Sequence, residues 1–387
     1  MKKSILFLVI LTWMLTGCKH PAIFEPEAKG RKADLEELAR KMPNKTLAEI
    51  YYEHGNFINQ QDFPPVVKAS DVLKHYREWL VIDLRRPEDY EAGHIPGAYN
   101  VPGSKVLDFI KNEKKAARFP KVVFVCYSGQ TASYVSGITR YAGFDNTYAM
   151  LFGMAAWNKR FSAPLTKGIG NRYPEAVETG EGNNLPGLNP AKIPATINWS
   201  DFPPVQSNLP VNLINKRAQK LLEAPRTDFL LKADEFFPDY LKNFASWQPV
   251  CYLPKVRFLA GHIRGSWQFT PRHDLAPGGK LAMLPADKNI LVYCKSGHTG
   301  GHAAAYLNMI GYRAKNLILG SMSFLYGTWK AKGWAPPADA LVQDFPVVEG
   351  NKPYSGKAIQ ISAPKNTPKP SLPAVKHKKK EVTGGCG

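Results

Sequence analysis

Hydrophobic positions along the chain come in short unbroken runs separated by polar stretches of helical period. Leu80-Val-Ile-Asp-Leu84 and Val122-Val-Phe-Val125 read as buried strands, because apolar runs of four or five residues are too short for core helices. Gln130 to Tyr141 reads as a helix, with Val135, Ile138 and Tyr141 on one face. Strands alternating with helices from Asp71 to Met154 predict a parallel sheet in an α/β layer architecture.

The same pattern occurs twice. Sliding the sequence by 168 residues, the distance from Cys126 to Cys294, lays Asp71–Met154 on Asp239–Met322 without a gap. Asp71/Asp239, Leu73/Leu241, Lys74/Lys242 and Trp79/Trp247 match, as do Ala92-Gly-His-Ile95 and Ala260-Gly-His-Ile263. Gly97/Gly265, Cys126/Cys294, Ser128/Ser296, Gly129/Gly297, Thr131/Thr299, Gly143/Gly311 and Met154/Met322 continue the series. Such a repeat means one domain used twice. A shorter echo, Asp62-Phe-Pro-Pro-Val66 against Asp201-Phe-Pro-Pro-Val205, falls at another spacing and reads as a strap entering each unit.

The flanks divide the rest. Lys2 and Lys3 precede an apolar run from Ile5 to Leu15, too short to span a bilayer and typical of a secretory signal. It ends in Leu-Thr-Gly-Cys18, which resembles the bacterial lipobox and implies lipidation at Cys18. Lys19 in place of Asp implies the outer-membrane sorting pattern. The expectation is an envelope lipoprotein on the periplasmic face of the outer membrane. The expected organisation is a signal and lipobox at 1–18 and a spacer at 19–60. A first domain at 61–165, a linker at 166–210 and a second domain at 211–345 follow, then a basic disordered tail at 346–387. Within that tail, Ala363 to Lys380 holds six lysines and no acid.

The 387 residues, 44% hydrophobic, suffice for two cores. The net charge of +19 fits nucleic acid, a membrane surface or small anions. No helix interleaves basic and aromatic residues on one face, so nucleic acid is not the expected partner. The cysteines are Cys18, Cys126, Cys251, Cys294 and Cys386. They are too scattered for a disulfide scaffold, and no Cys-x-x-Cys pair supports zinc; no metal or other cofactor is expected.

In each copy an apolar strand delivers a cysteine into a short polar loop followed at once by a helix. The loops are Cys126-Tyr127-Ser128-Gly129-Gln130-Thr131 and Cys294-Lys295-Ser296-Gly297-His298-Thr299. Small residues let successive backbone N–H groups turn inward, and the following helix adds its positive end. That arrangement is expected to lower the thiol pKa and to hold an anion or a persulfide. A cysteine ending an apolar strand is more often plain core, and only the doubled loop argues otherwise. His298 reads as an exposed loop histidine, and His94 and His262 as turn caps.

These segments resemble the rhodanese family over roughly residues 66–161 and 230–333. The resemblance rests on Asp83-Leu-Arg85, then Glu88-x-Tyr90-Glu91-Ala-Gly-His94-Ile-Pro-Gly97-Ala-Tyr-Asn100-Val-Pro102, then the Cys126 loop. It implies two domains, each a parallel five-stranded sheet flanked by helices. It also implies a thiosulfate sulfurtransferase in which Cys126 and Cys294 carry sulfur from a small anionic donor to cyanide or a thiol. Asp83 and Arg85 are expected to form a structural ion pair.

The second copy departs from the pattern, with Cys251, Leu253 and Val256 where the first has Asp83, Arg85 and Glu88. Lys295 is a cation suited to attracting an anionic donor. Cys251 either fills the gap left by the ion pair or approaches Cys294 closely enough to bridge. A cysteine phosphatase is disfavoured, because its arginine would fall at Ala132 or Gly300. A membrane-tethered, non-catalytic binding or sulfur-carrier protein is the alternative.

Overall fold

A computed structural model describes residues 57–182 and 209–353, apart from 278, 279 and 286, together with Ala48 and Tyr51. Cys18, Cys386, most of the expected spacer, the second Asp-Phe-Pro-Pro-Val and the lysine-rich tail lie outside them.

The first copy is a sheet of β1 (Val66–Val67), β2 (Leu80–Asp83), β3 (Tyr99–Asn100), β4 (Val122–Val125) and β5 (Thr147–Met150), ordered β1-β5-β4-β2-β3. The segment Val177–Glu178 forms β6. The second copy has β7 (Leu230–Leu231), β8 (Trp247–Tyr252), β10 (Trp267–Phe269), β11 (Asn289–Tyr293) and β12 (Arg313–Leu317), with β9 at His262–Ile263. Its sheet order, β7-β12-β11-β8-β10, repeats the first. All pairings within both sheets are parallel. Central strands β2, β4 and β8 are buried at every position, as parallel sheets covered on both faces require. The chain thus has two parallel five-stranded α/β units flanked by helices.

The principal helices are α1 (Ala69–His75), α2 (Gln130–Tyr141), α3 (Leu209–Glu223), α4 (Ala233–Asn243) and α5 (His298–Ile310). Helices α2 and α5, which follow the two cysteine loops, pack on each other through small residues. A Cβ on Gly137 would sit 2.6 Å from Ala305 Cβ, and one on Gly301 would sit 2.9 Å from Ser133 Cβ. One hydrophobic core therefore runs through both copies, from Leu80, Phe124 and Ile138 to Val250, Ile290 and Tyr306. Helix α3 ties across it, with Gln219 Nε2 donating to Ser104 O at 2.8 Å and Arg217 Nε to Asn308 O at 2.9 Å.

The gap-free repeat holds only in its middle. The first-turn capping boxes are Lys68 with Asp71 in α1 and Lys232 with Glu235 in α4, a spacing of 164. Helix α4 carries one extra turn, so Asp71 answers to Glu235 and not to Asp239. At the far end, Gly153 and Gly320 share φ +51°, a spacing of 167. Met154 therefore answers to Ser321, because one residue is missing before β12.

Three of the expected boundaries also shift. Within the spacer, Tyr51 stacks edge-on against Tyr141 at 4.6 Å, and Phe57 and Ile58 are core. Within the linker, β6 pairs antiparallel with β9 of the second copy. The tail begins ordered, for Val348 pairs with His94, and just before it Gln343 and Phe345 N–H bond to Ala156 and Trp157 carbonyls. The segment after each copy is thus strapped onto the other. Gly180 N–H reaches Leu259 O and Gly350 N–H reaches Glu91 O, at equivalent places.

Candidate active site at Cys126

Strands β4 and β11 each end one residue before a cysteine. Cys126 Sγ accepts from Gly129 N–H at 3.1 Å and Ala132 N–H at 3.4 Å. Cys294 Sγ accepts from Gly297 N–H at 3.1 Å and Gly300 N–H at 3.3 Å. The loops close this tightly because Gly129 (φ +95°) and Gly297 (φ +80°) take the left-handed conformation before their helices. Successive amides then converge on one atom, as an anion-holding nest does.

A second turn clasps each loop from outside. Met154 and Ala155 N–H donate to Cys126 and Tyr127 carbonyls at 2.8 and 2.9 Å. A Cβ on Gly153 would lie 2.2 Å from Cys126 O, so no other residue fits there. In the second copy Ser321 and Met322 N–H do the same for Cys294 and Lys295.

Burial outweighs the loop donors at Cys126. It pushes the thiol up from its ordinary range, while the amides of Ala132, Gly129 and Ser128 and the Thr131 hydroxyl oppose it. The expected lowering is therefore reversed in the resting protein.

Both thiols are only 3% exposed, so access decides which one can meet a ligand. Cys126, Tyr127, Ser128 and Thr131 line a cleft of about 830 Å³. Its walls bring Arg86, Lys167, Arg172, Arg226 and Lys232 together with only two carboxylates, Asp89 and Asp234. Asp89 is committed to the Tyr127 hydroxyl at 2.5 Å and to Arg86 at 3.0 Å. Asp234 holds Arg172 at 3.1 Å. Lys167 and Arg226 carry no ion pair among the described residues. Arg226, Lys232, Ile318 and Leu319 make the second copy the far wall.

Cys294 is not among the residues lining this cleft. Lys295 turns away to donate to Trp334 O at 3.1 Å, and burial followed by the nearby Arg257 lowers its pKa. The structure does not bring Lys295 to the Cys126 site.

The two loops meet back to back. Ser128 Oγ donates to Gln130 Oε1 at 2.7 Å, and Gln130 Nε2 donates to Ser296 O at 2.9 Å. His298 is buried at the first residue of α5, not exposed as its loop position predicted. Its Nε2 accepts from Phe152 N–H at 2.9 Å, and Nδ1 lies 3.0 Å from Ser296 Oγ. Thr299, partly buried, follows on that first turn.

Behind the loops the copies differ. Arg85 Nη2 is 2.7 Å from Asp83 Oδ2, with both side chains 1% exposed, and it also donates to Gly93 O at 2.7 Å. In the second copy Cys251 stands opposite Tyr293 in register. The Tyr293 hydroxyl accepts from Ile263 N–H at 3.0 Å and shares a 2.9 Å hydrogen bond with Ser266 Oγ. Burial pushes the Cys251 thiol up to about 12. Cys251 and Cys294 are both free. No bridge joins them in this structure, and by register Cys251 stands where the first copy has Asp83. His94 and His262 cap their turns, each 2.9 Å from a carbonyl, Tyr90 O and Phe258 O.

The cleft cations and the Phe152-Gly153 turn escaped sequence reading. Arg226 and Lys232 lie about 100 residues from Cys126 and belong to the other copy, so no local pattern marks them. The turn had a signal: at a spacing of 167, Leu151-Phe152-Gly153 falls on Ile318-Leu319-Gly320.

A sequence profile of the Rhodanese-like domain matches residues 68–160 and 252–325. The thiosulfate sulfurtransferase GlpE of Pseudomonas entomophila is 34% identical over 89 residues, 23% of this chain and 79% of that protein. Among solved structures, a rhodanese-related protein from Thermoplasma volcanium matches at 22% identity and TM-score 0.21, over 24% of this chain and 89% of that one. A thiosulfate sulfurtransferase from Pseudomonas aeruginosa matches at 14% identity and TM-score 0.23, over 75% of this chain and 46% of that one.

Proposed function

The chain belongs to the rhodanese-like family, and from that premise we propose that it is a sulfurtransferase working through a persulfide on Cys126. The observation that carries this reading is the placement of Cys126 Sγ, ringed by amide donors and opening onto a cationic cleft. Because burial raises its pKa, the Cys126 thiol must first release its proton to solvent, and the amides of Gly129 and Ala132 then hold the thiolate that attacks.

With thiosulfate as donor, the Cys126 thiolate attacks the outer sulfur and forms a new S–S bond. The donor's own S–S bond breaks, and sulfite leaves with the electron pair. The persulfide anion then lies among the amides of Gly129 and Ala132. An acceptor thiolate or cyanide takes the outer sulfur, and the Cys126 thiolate is restored. The cleft cations draw in the donor and release sulfite to solvent. The second copy acts as the far wall, and Cys294 is not required. By the same proposal, Cys18 is the acyl attachment that holds the protein at the outer membrane, facing the periplasm.

Thiocyanate formation from thiosulfate and cyanide tests the reading. Wild type and Cys294→Ser should be active and Cys126→Ser inactive, since serine keeps the volume but removes the nucleophile. Full activity in Cys126→Ser would refute it.

A further inference from the structure

Gln130 and His298 occupy equivalent places, the first residues of α2 and α5, and each leans on the other copy's loop. A Cβ on Gly129 would come within 2.3 Å of His298 Nε2, and one on Gly297 within 2.8 Å of Gln130 Cγ. The pseudo-symmetry stops at the polar atoms. Gln130 uses its carbonyl for Ser128 and its amide for Ser296 O. His298 instead accepts the Phe152 N–H with Nε2. An amide N–H can only donate, so this Nε2 is bare and Nδ1 carries the hydrogen, pointing at Ser296 Oγ. Burial, which pushes the ring's pKa down to about 3, keeps it in this neutral form.

Phe152 is a non-glycine residue at φ +58°, a conformation that persists only when its surroundings hold it. The ring of His298 also meets that of Phe152 edge to face, at 4.9 Å and 85°. Directly after Phe152 come Gly153, which fits under Cys126 O, and the Met154 and Ala155 amides that hold Cys126 and Tyr127. A shift at Phe152 is therefore passed on to the nucleophile's own carbonyl within two residues.

We propose that His298, supplied by the second copy's cysteine loop, is a positioning residue for Cys126 in the first. The second loop is then retained as a brace that shapes its neighbour's site. This rests on the reading that Cys126 carries sulfur, but its geometric core is testable without that chemistry.

The experiment compares His298→Ala and His298→Gln with wild type in the full-length protein. It reads the rate of Cys126 alkylation by iodoacetamide, the rate of sulfur loading from thiosulfate, and alkylation of Cys294 as internal control. Gln offers an acceptor near the place of Nε2. In His298→Ala the Phe152 N–H loses its acceptor, and both Cys126 rates should fall by about tenfold. The KM for thiosulfate should stay within about twofold, because the cleft cations are untouched. His298→Gln should recover most of the loss. Equal rates in wild type and His298→Ala at Cys126, or a loss of the same size at Cys294, would overturn the proposal. If His298→Ala does not fold, His298→Gln decides, with near-wild-type rates supporting it and a tenfold loss overturning it. Wild type that alkylates at Cys126 but takes no sulfur would instead sink the sulfurtransferase reading and leave the brace standing.

Discussion

The two copies share a sheet order and a cysteine loop, yet they solve the space behind the loop differently. The first uses charge: Arg85 grips Asp83 and Gly93 O in a fully buried pair. The second uses a phenol: Tyr293 stands where the first copy has Val125, and its hydroxyl serves Ile263 and Ser266 beside Cys251. Either device satisfies the turn that carries His94 or His262, so the fold tolerates both. The site does not divide so evenly. Only the first loop lines the cationic cleft, and the second copy contributes the opposite wall. Under the proposed function, the repeated motif gives one working face and one supporting face, and the difference lies in what surrounds each thiol, not in the thiol loop itself.

The two copies should differ most at the ion pair. Asp83→Ala leaves Arg85 buried and uncompensated, and should cost about 3–5 kcal/mol in chemical denaturation. Asp83→Cys with Arg85→Leu, which copies the second unit's residues, should cost clearly less, because it leaves no orphaned charge. A double variant as unstable as the single one would show that the charge itself, and not its satisfaction, holds the first copy.

Acid should expose a difference in the opposite direction. His298 and His302 stand where the first copy has Gln130 and Tyr134, and burial pushes both down to about 3. Unfolded, each takes a proton near 6.5. Between those limits the unfolded chain binds more protons than the folded one. Stability from these two groups is complete above about 6.5 and is lost as pH falls toward 3. The melting temperature should drop across that window, and His298→Gln with His302→Phe should flatten the slope. An unchanged slope would assign acid sensitivity elsewhere.

The smallest effect concerns the cleft. Lys167→Glu and Arg226→Glu should each raise the KM for thiosulfate roughly three- to tenfold at low salt, and less at high salt. The same change at Lys295, held by Trp334 O outside the cleft lining, should leave KM unaltered. A shift at Lys295 equal to that at Arg226 would mean that the donor also visits the second loop.

Sheet, doubling and cysteine loops were legible because continuous apolar strands and a repeated Cys-x-Ser-Gly-x-Thr leave local signatures. The extra turn of α4 was hidden, since adding a turn preserves helical periodicity and moves chance matches such as Asp71/Asp239 into line. The exchanged straps were hidden because Val177–Glu178 and 343–350 are too short to show any period. His298 was misread because the burial of a polar residue is decided by the partner across the interface, here Phe152. The thiol pKa was misjudged for a related reason: loop composition reveals the donors, whereas desolvation depends on everything packed around Cys126.

On the proposed mechanism the first loop alone carries sulfur. Full-length protein treated with excess thiosulfate, freed of donor and digested without reductant, can be mapped by peptide mass. The expected result is the added mass of one sulfur atom on the peptide containing Cys126, removed by cyanide, and none on the peptide containing Cys294. Sulfur on Cys294 with Cys126 unmodified would contradict it.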